Sequence, residues 1–164
     1  MRMPRAADPL WWGLARPPAP TTIAGMAGRR KAHPMSRSGT ERTCPCGGGS
    51  FKECCGPSLA AEDWPPTAEA LMRSRYTAFA LGDADHLWRT WHPRTRPPAV
   101  EAGPLEWTGL EVLDVVDGQP GHQTGVVEFV AHHRNPGGTT GTMRERSRFA
   151  VRAGRWFYLD GEMG

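Results

Sequence analysis

Cysteine is missing from this 164-residue chain everywhere except between positions 44 and 55. No apolar run approaches the roughly 20 residues that a membrane-spanning helix needs, which excludes that kind of anchor. Hydrophobic residues make up 38%, low for a packed protein, while prolines (16) and glycines (20) are many, so part of the chain is expected to stay unpacked. Residues 1–20 contain Arg2, Arg5 and Arg16 but no continuous apolar core. They do not read as a secretory signal, and the expected location is the cytoplasm. Also absent are a Ser/His/Asp order, a phosphate-binding loop, and a dinucleotide-binding glycine fingerprint at a strand–helix junction. No residue is assigned as catalytic.

What is present divides unevenly. Residues 1–43 carry eight Lys/Arg against Asp8 and Glu41, a net +6, whereas residues 44–164 carry twelve against fifteen, a net −3. The basic character belongs to the tail, so nucleic-acid binding would have to rest on the tail alone. Residues 1–42 are rich in Pro, Ala, Arg and Gly, as in Pro17-Pro18-Ala19-Pro20 and Gly28-Arg29-Arg30-Lys31, with no helical or strand period. They are expected to be disordered. Trp11-Trp12 is an isolated apolar pair there, and Met26 and Met35 allow the tail to be a mis-called start.

The four cysteines lie in the run Cys44-Pro45-Cys46-Gly47-Gly48-Gly49-Ser50-Phe51-Lys52-Glu53-Cys54-Cys55-Gly56. A disulfide framework fits poorly, because Cys54 and Cys55 are adjacent and no signal peptide directs the chain to an oxidising compartment. A redox motif would show Cys-x-x-Cys, and the spacing here is Cys-x-Cys. Four thiolates converging through a flexible glycine turn suit tetrahedral zinc best, with iron or a redox role as the remaining readings.

After a connector at 57–66, Thr67 is placed to cap a helix that Gly82 ends, with Leu71, Met72, Tyr76, Phe79 and Ala80 on its apolar stripe. Asp83 opens a second helix in which Ala84, Leu87, Trp88 and Trp91 recur at helical spacing and which His92-Pro93 ends. The period then changes to two. Strands are expected at 107–116, with a bulge between Val112 and Leu113, and at 125–134, 143–152 and 155–160. Two helices followed by an antiparallel meander give an α+β domain with the helices on one face of the sheet.

The third strand alternates sharply. Arg144, Arg146, Arg148 and Arg152 fall on one face, and Glu145, Ser147, Phe149 and Val151 on the other. With the arginines in solvent, Glu145 and Ser147 face the interior and need partners, for which Arg73 or Arg75 of the first helix are the natural candidates. Either this is a buried ion pair, or it is the polar lining of a pocket. The candidate lining is Arg73, Tyr76, Trp91, His92, Glu145, Ser147, Trp156 and Tyr158.

Several stretches carry a resemblance. Cys44-Pro45-Cys46-Gly47 through Cys54-Cys55-Gly56-Pro57 resembles the SEC-C motif, the zinc knuckle named for the C-terminus of the translocase ATPase SecA. Ala68-Glu69-Ala70-Leu71-Met72-Arg73-Ser74-Arg75-Tyr76, Thr90-Trp91-His92-Pro93, Trp107-Thr108-Gly109-Leu110-Glu111, Val127-Glu128-Phe129, Arg144 to Phe149 and Trp156 to Gly161 look like the signature of the YchJ family of uncharacterised bacterial proteins. The resemblance implies a knuckle at 43–58 with zinc on Cys44, Cys46, Cys54 and Cys55. It also implies a nuclear transport factor 2-like cone of curved antiparallel sheet and helices at 59–164. The loop between the cysteine pairs is one residue shorter than in the common SEC-C form and lacks its Gly-Ser-Gly and basic residues.

Three functions follow as expectations. The first is a binding or adaptor protein with a structural zinc knuckle facing a protein partner. The second is an enzyme or small-ligand binder using the cone, which should show a convergent acid–base pair such as His92 near Glu145. The third, nucleic-acid binding through the tail, ranks last. The sequence leaves the oligomeric state open.

Overall fold

A computed structural model describes residues 42–164. The expected disorder of the tail, its Trp11-Trp12 pair and the question of its start fall on residues 1–41 and lie outside the described residues. The described chain runs α1 (Gly56–Leu59), α2 (Ala68–Leu81), α3 (Ala84–Arg89), β1 (Glu106–Asp117), β2 (Thr124–Arg134), β3 (Thr140–Arg152) and β4 (Arg155–Met163). The strands form one antiparallel sheet in the order β1-β2-β3-β4. No helix among the described residues is long and apolar enough to cross a membrane.

Each helix starts and stops for a local reason. The Thr67 hydroxyl accepts the Ala70 N–H at 3.0 Å, and Gly82, at φ 75°, takes the left-handed turn that lets Asp83 N–H reach the Ala78 carbonyl. The Asp83 carboxylate then caps α3 by accepting from His86 N–H at 2.9 Å. That helix ends at Arg89, earlier than His92-Pro93 predicts, because the Thr90 hydroxyl donates to the His86 carbonyl at 2.6 Å and closes the last turn. Trp91 has already left the helix to bridge Tyr158 of β4 in parallel. Its helical spacing was a coincidence of burial: it reaches the same core from an extended backbone.

In the sheet, the bulge expected near Val112 is present between Val112 and Asp114, and a second irregularity lies between Trp107 and Gly109. Strands β3 and β4 run longer than their apolar patterns, starting at Thr140 and ending at Met163. Polar residues extend both because the ladder needs backbone partners, not apolar side chains. Val127, Phe129, Ala131, Phe149, Trp156 and Tyr158 are buried on the face that α2 covers. On the opposite face Arg144 and Arg146 bond Glu128, Arg148 bonds Asp160, and Arg134 bonds Glu106. These arginines are in solvent but charge-matched, which leaves the face no cationic surplus for a polyanion.

The stretch between the knuckle and α2, expected to be a plain linker, is fastened. Trp64 Nε1 donates to the Trp156 carbonyl at 2.9 Å, and Trp156 Nε1 returns a bond to the Pro66 carbonyl at 3.1 Å.

Candidate metal centre and the cavity of the cone

Residues 43–55 form a tight hairpin, with Thr43 bridging Ser50 and Cys44 N–H bonded to the Gly49 carbonyl at 2.7 Å. The turn between the cysteine pairs brings backbone very close to sulfur. A Cβ on Gly48 would sit 2.8 Å from Cys54 Sγ and 3.3 Å from Cys46 Sγ, so only glycine leaves room for the cluster.

All four sulfurs lie within 4.8 Å of one another. Cys46 Sγ is 3.4 Å from Cys44 Sγ, 3.4 Å from Cys54 Sγ and 3.6 Å from Cys55 Sγ, and Cys54 Sγ is 3.7 Å from Cys55 Sγ. These separations are far beyond a disulfide, and all four cysteines are free. They approach the spacing of about 3.8 Å that a tetrahedron with metal–sulfur bonds near 2.3 Å requires. The donor set therefore fits a metal ion held by Cys44, Cys46, Cys54 and Cys55.

Protonation argues the same way. Hydrogen bonds, chiefly from Cys55, draw the Cys46 thiol down to about 4. Burial and Cys46 push Cys54 up to about 12, and the bond to Cys46 together with burial pushes Cys55 up as well. The cluster accepts one negative charge readily and resists a second. A cation placed among the sulfurs removes that resistance and supplies no open coordination position for a substrate.

The knuckle is seated on α2. Cys44, Cys46 and Cys55 are buried in the same core as Leu71, Ala78 and Phe149. Thr77 Oγ1 lies 3.6 Å from Cys44 Sγ. Arg73 Nη1 donates to the Cys46 carbonyl at 3.2 Å while its Nε holds Glu69 at 2.8 Å. Arg89 of α3 reaches the carbonyls of Ser58 and Leu59 at 2.8 and 2.7 Å. Gly47, Gly48, Gly49, Lys52 and Glu53 stay exposed on the outer side.

The cone holds a partly open cavity of about 40 Å³, room for about three waters. Tyr76, Glu145, Ser147 and Tyr158, four of the residues nominated from sequence, line it. The other four are elsewhere. Arg73 is at the knuckle. Trp91 packs edge-on against Tyr158, with centroids 4.9 Å apart. His92 Nδ1 accepts from Arg94 N–H at 3.2 Å. Trp156 spends its indole N–H on Pro66. Arg75, Met72, Phe79, Trp107 and Met143 also line it, with Phe129, Ala131 and Phe149 of the sheet, and were not nominated from sequence as its lining. The signal for Arg75 and Met72 was their place on the inward stripe of α2; Trp107 sits at the β1 irregularity, which strict alternation does not anticipate.

Neither arginine pairs with Glu145 in the expected way. Glu145 Oε1 accepts from Ser147 Oγ at 2.7 Å and from Tyr158 Oη at 3.0 Å. Two neutral hydroxyls, one on β3 and one on β4, satisfy that oxygen instead. Burial and the nearby carboxylate push the Tyr158 phenol up, so it stays protonated and donates. Arg75 donates instead to the Leu87 carbonyl at 2.8 Å and Thr90 Oγ1 at 2.9 Å, and its guanidinium lies 4.4 Å over the Tyr158 ring. Burial lowers it to about 10, which still leaves it a cation at neutral pH. No histidine lines the cavity among the described residues, so the expected pairing of His92 with Glu145 does not form.

Comparison with known proteins agrees with this architecture. The family model for the YchJ middle NTF2-like domain matches residues 67–161. A UPF0225 protein of Streptomyces coelicolor is 52% identical over 121 residues, covering 73% of this chain and 94% of that protein. One from Chromobacterium violaceum is 48% identical over 131 residues, covering 77% and 96%. The solution structure of a SEC-C motif containing protein from Rhodopseudomonas palustris superposes with a TM-score of 0.66 at 36% identity, covering 74% of this chain and 98% of that one. A crystal structure of a SEC-C motif containing protein from Psychrobacter arcticus gives 0.59 at 25% identity, covering 75% and 83%.

Proposed function

The chain belongs to the YchJ family, the UPF0225 proteins, and from that footing we propose that it is a zinc-stabilised binding module whose knuckle faces a protein partner. The observation that carries this reading is the closed sulfur cluster: four thiolates satisfy zinc completely. Such a site supplies folding energy and a rigid surface rather than a reactive centre. The exposed surface it stiffens is the turn around Gly47 to Gly49 together with Lys52 and Glu53.

Two measurements test this. Purified protein carries one zinc per chain, and Cys54→Ser abolishes it; a folded wild type without metal refutes the site. A photo-crosslinking side chain at Lys52, in a bacterial host, gives a discrete heteromeric product that Cys54→Ser removes and that the same group at Gln119 does not give. Equal products from both positions, or none, refute the partner.

A second reading has one observation in its favour. Arg75 and Glu145, both buried, line the same cavity without bonding each other, Glu145 being held by Ser147 and Tyr158 and Arg75 by Leu87 and Thr90. At about 40 Å³ the cavity takes only water-sized groups as it stands, so a ligand requires Met72 or Met143 to swing aside. Methyl NMR of the methionines during a benzamide titration decides this. Saturable shifts confined to Met72 and Met143 support a small-molecule site, and no shift removes it.

A further inference from the structure

We propose that helix α2 completes the metal centre: the Thr77 hydroxyl donates a hydrogen bond to the metal-bound sulfurs, and Arg73 clamps the Cys46 strand while offsetting the cluster's negative charge. The proposal rests on the zinc reading above and assigns two residues outside the cysteine hairpin to the same site.

The need comes first. Four thiolates around a divalent cation leave a net charge of about −2, and here three of the four sulfurs are buried. Charge in such surroundings is costly unless donors or cations face it. Within the hairpin the backbone N–H groups of Cys44 and Gly47 are already spent on the carbonyls of Gly49 and Cys44. The Gly48 N–H serves Cys46 from within the hairpin, and Cys44 and Cys55 gain a further donor from the helix packed against it.

Thr77 is fully buried, and its hydroxyl faces the sulfur cluster, 3.6 Å from Cys44 Sγ and within hydrogen-bonding reach of Cys55. Threonine inside a helix ordinarily turns its hydroxyl back to a carbonyl one turn earlier. Thr77 does not. A thiolate can only accept, so with metal bound the hydroxyl is the donor. If the position needed only packing, valine would fill it with no polar atom to satisfy.

Arg73 stands one turn earlier on the same side of α2, at the i, i+4 spacing that brings two side chains to one neighbour. Its Nε is fixed by Glu69 at 2.8 Å, which aims Nη1 at the Cys46 carbonyl, 3.2 Å away. The cation is thereby held next to the ligand strand. Outer partners of this kind set metal affinity in other sites by about 10- to 100-fold.

The test uses the full chain and zinc itself, with affinity read by competition against a chromophoric chelator. Thr77→Val keeps the shape and deletes the donor; it weakens zinc binding by about tenfold or more, while the urea midpoint of the metal-free chain stays put. Thr77→Ser restores the hydroxyl and most of the affinity. Arg73→Met keeps the apolar stem and removes the charge, weakening binding several-fold. Should Thr77→Val fail to fold, the Thr77→Ser and Arg73→Met pair carries the test alone. Wild-type affinity in the valine and methionine variants overturns the proposal. A wild type that binds no zinc overturns the metal reading instead, so the two failures are distinct.

Discussion

Ser74, His86 and Arg89 form a buried relay whose proton positions follow from the donors available. Arg89 Nη2 can only donate, so His86 Nδ1, 2.8 Å away, accepts; His86 Nε2 then carries the proton and donates to Ser74 Oγ at 2.9 Å, which donates on to the Leu71 carbonyl. Burial, with Arg89 and Arg75 nearby, lowers the His86 pKa to about 3. The folded state therefore binds fewer protons than the unfolded state between pH 6.5 and about 3, and stability falls as pH falls through that window. Between pH 7 and 5.5 the loss from this group is about 1 kcal/mol. Urea midpoints of His86→Gln, compared with wild type at the two pH values, should lack that part of the slope; equal slopes would refute the assignment. Space rather than charge decides Gly161, where a Cβ would overlap the Glu145 carboxylate. Gly161→Ala drives Glu145 off Ser147 and Tyr158 and costs about 1–3 kcal/mol by urea unfolding. Neither feature was legible in the sequence. His86 sits inside an ordinary helical pattern, and a glycine near the end of a strand does not announce which carboxylate lies over it. The four cysteines were legible as a candidate metal site because their spacing in the sequence already brings them together.

Helix α2 serves three surroundings at once, and this explains which parts of it could be read. Its ends were legible, since Thr67 and Gly82 act through their own local chemistry. Its inward stripe was legible through Leu71, Met72 and Tyr76, all buried. The destinations of its arginines were not. Arg73 and Arg75 are two residues apart, so they leave the helix in different directions, one to the knuckle and one to α3 and β4. Pairing either with Glu145 looked sound on charge alone, but three-dimensional reach decided otherwise. Arg75 joins elements by donating to the Leu87 carbonyl and the Thr90 hydroxyl at the end of α3 and stacking on Tyr158 and Trp91, whose rings lie 4.4 and 5.2 Å from its guanidinium carbon. Arg75→Ala removes the cation and opens space beneath α3, at a cost of about 3 kcal/mol. Arg75→Lys costs less but is not neutral, because an ammonium cannot stack as a planar guanidinium does. Equilibrium unfolding of both variants orders them, and a lysine variant as stable as wild type would mean the stacking contributes nothing.

At the scale of the whole molecule, the hairpin and the cone share one core. Cys44, Cys46 and Cys55 are buried with Leu71, Ala78 and Phe149, and Arg73 and Arg89 tie the backbone on either side of Cys54-Cys55 to two different helices. The sequence suggested a knuckle and a cone with a proline-bounded connector between them; contacts between distant segments are what a one-dimensional period cannot carry. On the proposed zinc reading, the arrangement makes metal binding a term in the stability of the cone. A ligand that binds only the folded state raises its stability by an amount set by concentration over dissociation constant, about 4 kcal/mol at a thousandfold excess. Stripping zinc from a tethered but independent knuckle would leave the aromatic signal of Trp107, Trp156 and Tyr158 melting where it did before. In the packed arrangement, near-UV circular dichroism of those cone aromatics should melt at least several °C lower after chelation, by the usual conversion of stability into melting temperature. The transition should stay single, with hairpin and cone unfolding together. An unchanged cone transition after verified zinc loss would show that the contacts at Thr77, Arg73 and Arg89 transmit no energy between the two parts.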